Sequence, residues 1–214
     1  MRICFTLDDV IRNRTYQTCK VYQTKIDPSL KLDELDMTNG DLSQVLGFSD
    51  YNDYEKFIYE DYVFDIFGKA PVTTTGVDKE LNLWHIALQD YEGLGEEVQV
   101  SLANPLEYNS SICFTYFFLS KIATRIREVF FPVDSLEIWD RCDVLVTADP
   151  YLIEHKPLGK TCVKIAMPYN AESKADYTYD SLAEALYGNK LLRVMENRYG
   201  YTEEVKQEEK IEEE

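Results

Sequence analysis

Met1-Arg2-Ile3-Cys4-Phe5-Thr6-Leu7-Asp8-Asp9-Val10 decides how the chain is read. The apolar run Ile3 to Phe5 delivers Thr6, Leu7 and two adjacent carboxylates to what is predicted to be the C-terminal end of a strand. An open α/β sheet presents its chemistry at that edge, and paired carboxylates there are costly unless something uses or solvates them. Working outward, apolar runs typical of buried parallel strands recur at 97–103, 128–132, 143–148 and 161–166. Strands alternating with helices imply crossover units and a parallel sheet covered on both faces. The spacing predicts a helix over 110–127, with Phe114, Phe117, Phe118, Ile122 and Ile126 near one stripe and Ser110 or Ser111 as N-cap. It also predicts a short helix over 134–141 capped by Asp134, and one over 179–186 that resumes toward Arg198 after a break at Gly188. Together these give a five-stranded, three-layer α/β core with a Rossmann-like parallel sheet.

Residues 13–94 have a different texture, rich in Tyr, Asp, Asn and Thr. Helical pieces are expected at Thr15 to Lys25, Tyr54 to Phe67 and Asp78 to Asp90, with loops at Asn39-Gly40 and Pro71 to Gly76. This reads as a mostly helical insertion after the first strand. The core is then 1–12 with 95–202, the insertion 13–94, and the acidic tail 203–214.

The opening resembles the first motif of the haloacid dehalogenase-like phosphohydrolases, Asp-x-Asp, with Thr6 where that family has its nucleophile and Asp8 at the second acid. The resemblance implies a cap domain in the slot after the first strand. It further matches Ser101, in Val98-Gln-Val-Ser101-Leu, to the second motif's phosphate-binding Ser or Thr. The third motif's Lys has no counterpart in Val133-Asp-Ser-Leu-Glu-Ile-Trp-Asp-Arg141. The fourth motif, which in the 5′(3′)-deoxyribonucleotidase-like members ends in two Mg²⁺-holding acids, reads Asp143-Val-Leu-Val-Thr147-Ala148-Asp149, with Asp149 one or two places late. In-line phosphoryl transfer to a protein group needs a carboxylate nucleophile, a metal and a positive group on the phosphate oxygens. A Thr hydroxyl has a pKa far above 7, and no His is near in sequence to activate it. The expectation is a catalytically degenerate, phosphatase-like scaffold with no resident cofactor, reused as a structural or protein-interaction subunit. A larger assembly such as a phage virion is one setting for it. The alternative is a divergent Mg²⁺-dependent phosphohydrolase, nucleotidase-like, acting on a small phosphomonoester. There Asp8 would be acid/base, Ser101 the phosphate ligand, and Asp8 with Asp149 the metal ligands.

Composition bears on partners. At 214 residues and 45% apolar content, the chain can bury a full core. A formal charge of −17 argues against a nucleic-acid backbone or an anionic membrane as partner. Seven Glu among the last twelve residues read as a solvated tail. The five cysteines form no CxxC pair, which suits buried free thiols in a reducing compartment. The opening lacks a basic region followed by an apolar one, and Ile112 to Leu119 is shorter than the ~20 residues a membrane span needs. A cytoplasmic protein is therefore expected, or a virion component if the assembly is a phage.

Other candidates have plainer readings. Lys156-Pro-Leu-Gly159-Lys160-Thr161 imitates the end of a P-loop, but Glu154 stands where the first Gly belongs, so a surface turn is expected. His85 and His155 are 70 residues apart and lack zinc-site spacing. Asp8 and Asp9 read either as a residual metal site, or as Asp9 capping the next helix while Asp8 bonds the loop after the fourth strand. Pro168-Tyr-Asn170 and 175–181 either line a cleft or supply loop and cap chemistry, with Asp180 or Ser181 as cap. Sixteen tyrosines, dense over 51–62 and 169–187, suit a protein interface, so a protein partner or homo-oligomer is expected.

Overall fold

Five residues of the opening, Arg2–Thr6, form β1, whose side chains are buried from Ile3 onward. The computed structural model describes residues 1–89, 98–105 and 107–198. After β1 come α1 (Arg14–Lys25), α2 (Leu42–Val45), α3 (Tyr51–Lys56), two π-helical turns (Phe57–Asp61 and Phe64–Gly68) and α4 (Val77–Gln89). Then follow β2 (Gln99–Ala103), α5 (Asn109–Lys121), β3 (Glu128–Phe130), α6 (Glu137–Arg141), β4 (Val144–Thr147), α7 (Pro150–Glu154), β5 (Thr161–Ile165), β6 (Tyr177–Tyr179) and α8 (Leu182–Leu186), with a further helical stretch over 190–198. The acidic tail lies outside the described residues. No helix among those described is long and apolar enough to cross a membrane.

The sheet is parallel throughout, in the order β3-β2-β1-β4-β5-β6. It is the α/β, Rossmann-like parallel sheet that the apolar runs imply, with a sixth strand, β6, beyond the five expected. β6 was hidden because Tyr177-Thr178-Tyr179 is short, polar and only partly buried at the sheet's edge. Alternation along each strand divides the core in two. Ile3, Phe5, Leu102, Val146 and Val163 face a layer that includes Phe118 of α5, Ala185 of α8 and Met195. Cys4, Ala103, Leu145 and Cys162 face Ile138 and Trp139 of α6 and Leu152 of α7.

Helix α4, within the 13–94 stretch, packs on the sheet. Val77, Leu81, Trp84 and Leu88 join the sheet's own apolar cluster, and Trp84 meets Phe5 edge-on at 5.6 Å. The stripe was visible at helical spacing; which core it served was not. A third cluster is confined to the segment after β1 together with Phe114 of α5, and includes Cys19, Leu46, Tyr54, Phe57, Ile66 and Phe67. Its chain path is tight: a Cβ on Gly68 would lie 2.6 Å from the Phe64 ring, so any side chain there would have to displace that ring.

Caps differ in detail from expectation. Ser181 caps α8 through Glu184 N–H, and Gly188 breaks the following helix at φ 62°. Helix α5 starts at Asn109 without a side-chain cap, because the Ser111 hydroxyl bonds Glu107 and the Tyr108 carbonyl instead. Asp134 accepts from Leu136 N–H, and the regular turns of α6 begin only at Glu137. The 156–161 segment is the expected turn, with Gly159 at φ 76°. Cys4, Cys19, Cys142 and Cys162 are buried free thiols, whereas Cys113 is exposed.

Candidate functional site

The C-terminal ends of β1, β2 and β4 open into one cavity of about 700 Å³. Thr6, Asp8, Asn104 and Asp149 come from the sheet edge, while Tyr54, Ile58 and Tyr59 reach it from the segment between β1 and α4. The structure thus brings together three of the four residues singled out in the sequence. Ser101 is the exception. Register pairs Cys4 with Ser101 and Thr6 with Ala103, so Ser101 sits two residues short of the edge, buried, its hydroxyl 3.5 Å from the Ile3 carbonyl. Asn104 holds the edge position instead. Its Oδ1 accepts from Asp8 N–H at 3.2 Å, and its Nδ2 donates to Asp8 at 3.2 Å and to Glu107 at 2.7 Å.

Thr6, at the nucleophile position, hydrogen-bonds through Oγ1 to the Thr147 hydroxyl at 3.1 Å. Two hydroxyls thus face each other where the resemblance would place carboxylates. No histidine is among the described residues lining the cavity, so no imidazole stands by to take the Thr6 proton.

Asp8 is held by two guanidinium groups. Oδ1 accepts from Arg12 Nε at 2.8 Å and lies 2.7 Å from Arg12 Nη2, while Oδ2 lies 2.9 Å from Arg14 Nε. Arg12 is fully buried beneath the cavity, between the Phe67 and Phe118 rings at 5.0 and 5.7 Å. It also binds Glu107 Oε1 at 2.7 Å and the Thr115 hydroxyl. Burial opposes its charge, but Asp8 and Glu107 outweigh that and hold its pKa above the ordinary arginine value. This Asp8–Arg12–Glu107 chain was missed in the sequence. Arg12 lies four residues past Asp8, a spacing open to inspection, whereas Glu107 arrives from the far side of the insertion.

Asp9 and Asp149 serve helix ends. Asp9, at φ 58°, accepts from Thr15 N–H at 3.0 Å and from the Thr15 and Tyr169 hydroxyls, anchoring α1 and the loop after β5 to the opening. Burial raises its pKa, against the opposing Thr15 hydrogen bonds. The helix-capping alternative therefore holds for Asp9, while Asp8 bonds the loop after β2 and not the one after β4. Asp149 accepts from Tyr151 N–H at 2.8 Å and caps α7, its pKa raised by burial.

These assignments decide how the donors suit Mg²⁺, which prefers several free anionic oxygens in octahedral array. Both Asp8 oxygens face guanidiniums, Asp149 is engaged with a helix N-terminus, and no group of three or more His, Cys, Asp or Glu among the described residues is placed to hold a metal. The residues present do not fit the ion.

With the parallel sheet, the edge cavity and the helical segment after β1 in place, comparison with solved structures finds the same fold in haloacid dehalogenase-like hydrolases. A haloacid dehalogenase-like hydrolase from Burkholderia xenovorans superposes with a TM-score of 0.51 at 10% identity, over 88% of this chain and 95% of that one. A haloacid dehalogenase-like family hydrolase from Xanthomonas campestris gives 0.51 at 12% identity, over 94% and 98%. No protein-family profile matches the sequence, and neither does any curated protein. The chain has the fold of these hydrolases.

Proposed function

We propose that this chain uses the haloacid dehalogenase-like scaffold for binding, without phosphoryl transfer, and that it serves as a structural or protein-interaction subunit. The single observation carrying the reading is the double guanidinium clamp on Asp8. A carboxylate whose two oxygens both face guanidinium groups is a poor metal ligand. The Thr6–Thr147 hydroxyl pair supports it, since neither partner is an anionic nucleophile. In this reading residues 14–68 act as a cap, carrying their own apolar cluster over the sheet edge. Sixteen tyrosines and the net charge of −17 suit a protein partner or a second copy better than a polyanion.

Phosphate release from a panel of nucleoside monophosphates and simpler phosphomonoesters, with Mg²⁺, tests the first half. Wild type and Asp8→Asn are expected to be indistinguishable from a protein-free blank. Release that disappears in Asp8→Asn establishes the alternative, a divergent phosphohydrolase. Light scattering tests the second half, which predicts a mass above that of the single chain or a partner that stays bound through purification.

A further inference from the structure

The cavity holds two unmet demands of opposite sign. On its floor, Arg14 Nε lies 2.9 Å from Asp8 Oδ2 as an ion pair, yet neither Nε nor the buried Nη1 has a hydrogen-bond acceptor. A buried donor without an acceptor is costly, which marks a position where an oxygen from outside the chain belongs. Around the rest of the lining, Asp41 and Asp149 are engaged in capping α2 and α7, whereas Glu55 has no cationic partner within 4 Å among the described residues. Glu55 is held against an aromatic wall, its Oε1 accepting from the Tyr108 hydroxyl at 2.9 Å. Tyr108 in turn packs edge-on against Tyr59 at 4.4 Å, and Tyr51 lies 5.8 Å from Tyr54. Tyr51 and Tyr108 are both more than half exposed, so their rings are open to an incoming group.

Aromatic faces beside carboxylates attract an organic cation. The net charge of −17 draws cations toward the surface and repels phosphate. The volume of about 700 Å³ suits a small ligand or one inserted side chain. We infer that this cavity takes an organic cation carrying a carbonyl or carboxylate oxygen, the chemistry of a basic amino acid, either free or displayed on a partner's chain. The oxygen answers Arg14 and the ammonium or guanidinium answers Glu55 and the tyrosines. This rests on the proposal that the cavity binds without turnover, and it names what is bound.

Isothermal titration of the full chain tests it with free lysine, free arginine, a short capped peptide bearing one Arg and one Lys, 1,5-diaminopentane and inorganic phosphate. Lysine, arginine or the peptide should bind, and phosphate should not. Binding by the free amino acids identifies a small-molecule site, while binding by the peptide alone identifies a partner's chain; either carries the inference. Tyr51→Ala and Glu55→Gln should each weaken binding by about three- to tenfold. Glu128→Gln, at the opposite end of the sheet, should leave it unchanged. The inference is overturned if phosphate binds and the amino compounds do not. It is also overturned if 1,5-diaminopentane, which lacks the oxygen, binds as tightly as lysine, or if neither cavity variant weakens binding. Phosphomonoester turnover in the separate release assay would sink the non-catalytic reading without altering these titrations.

Discussion

The sheet and the segment that covers it are built by different means. The sheet is aliphatic, with Ile3, Leu102, Val144, Leu145 and Val163 all fully buried and held in a continuous ladder. The segment over 14–68 is aromatic and made of short helices, with Phe48 in ring contact with Tyr22, Tyr54 and Phe57, and Asp41 and Asp50 capping its turns. Long-range strand pairing organises the one, while local caps and one ring cluster organise the other. The two meet at Arg12, whose guanidinium binds Asp8 at the sheet edge and packs against Phe67 of the covering segment. The site thus lies where a rigid half and a locally organised half share one buried charge.

That joint is where substitution should cost most. Arg12→Met leaves Asp8 and Glu107 facing each other without their shared cation, and stability measured by urea unfolding should fall by about 3–5 kcal/mol. Adding Asp8→Asn and Glu107→Gln to Arg12→Met should recover a large part of the loss. If the triple variant is no better than the single, lost packing against Phe67 and Phe118 outweighs charge.

Truncations in the two cores come next. Leu102→Ala in the sheet and Leu46→Ala in the covering segment should each cost about 2–4 kcal/mol. Their hydrogen-exchange patterns should differ. The sheet variant should raise exchange everywhere, whereas Leu46→Ala should raise it mainly within 14–68, because that segment has its own cluster. Uniform loosening by Leu46→Ala would show that the two regions unfold as one.

Much of the sheet was legible for a simple reason: strands buried on both faces are continuous apolar runs, and 143–148 and 161–166 cannot be much else. The short edge strand β6 lacks that signature. The site was legible only in part. Thr6 and Asp8 follow from the end of the first strand, but Ser101 and Asp149 came from the resemblance to the family's motifs, whereas inter-strand register, which no single segment contains, sets the edge at Ala103. Glu107 and Thr115 reach Arg12 across about a hundred residues, and only the folded chain brings them there.

Caps should show smaller and more equal effects. Ser181→Ala, at the start of α8, and Asp41→Ala, at the start of α2, should each cost about 1 kcal/mol by thermal unfolding. A much smaller effect for Asp41→Ala would mean that the covering segment relies on its rings alone.

The smallest effect is a difference in sign between two aspartates as pH changes. Asp41 is mostly solvated, and its carboxylate accepts from the Ser43 hydroxyl and N–H, which lowers its pKa below 3.8. Its contribution is therefore complete above that value and disappears as pH falls through the lowered one. Asp9 is the reverse. Burial raises its pKa above 3.8, so the folded state keeps the proton that the unfolded chain gives up first. Its contribution is complete below 3.8 and shrinks as pH rises through the raised value. Urea midpoints between pH 3 and pH 6 separate the two. Asp41→Asn should flatten the loss of stability on the acid side, while Asp9→Asn should leave that limb intact and relieve the decline toward higher pH. If Asp9→Asn instead steepens that decline, the Thr15 and Tyr169 hydrogen bonds outweigh burial, and Asp9 is an ionised anchor for α1.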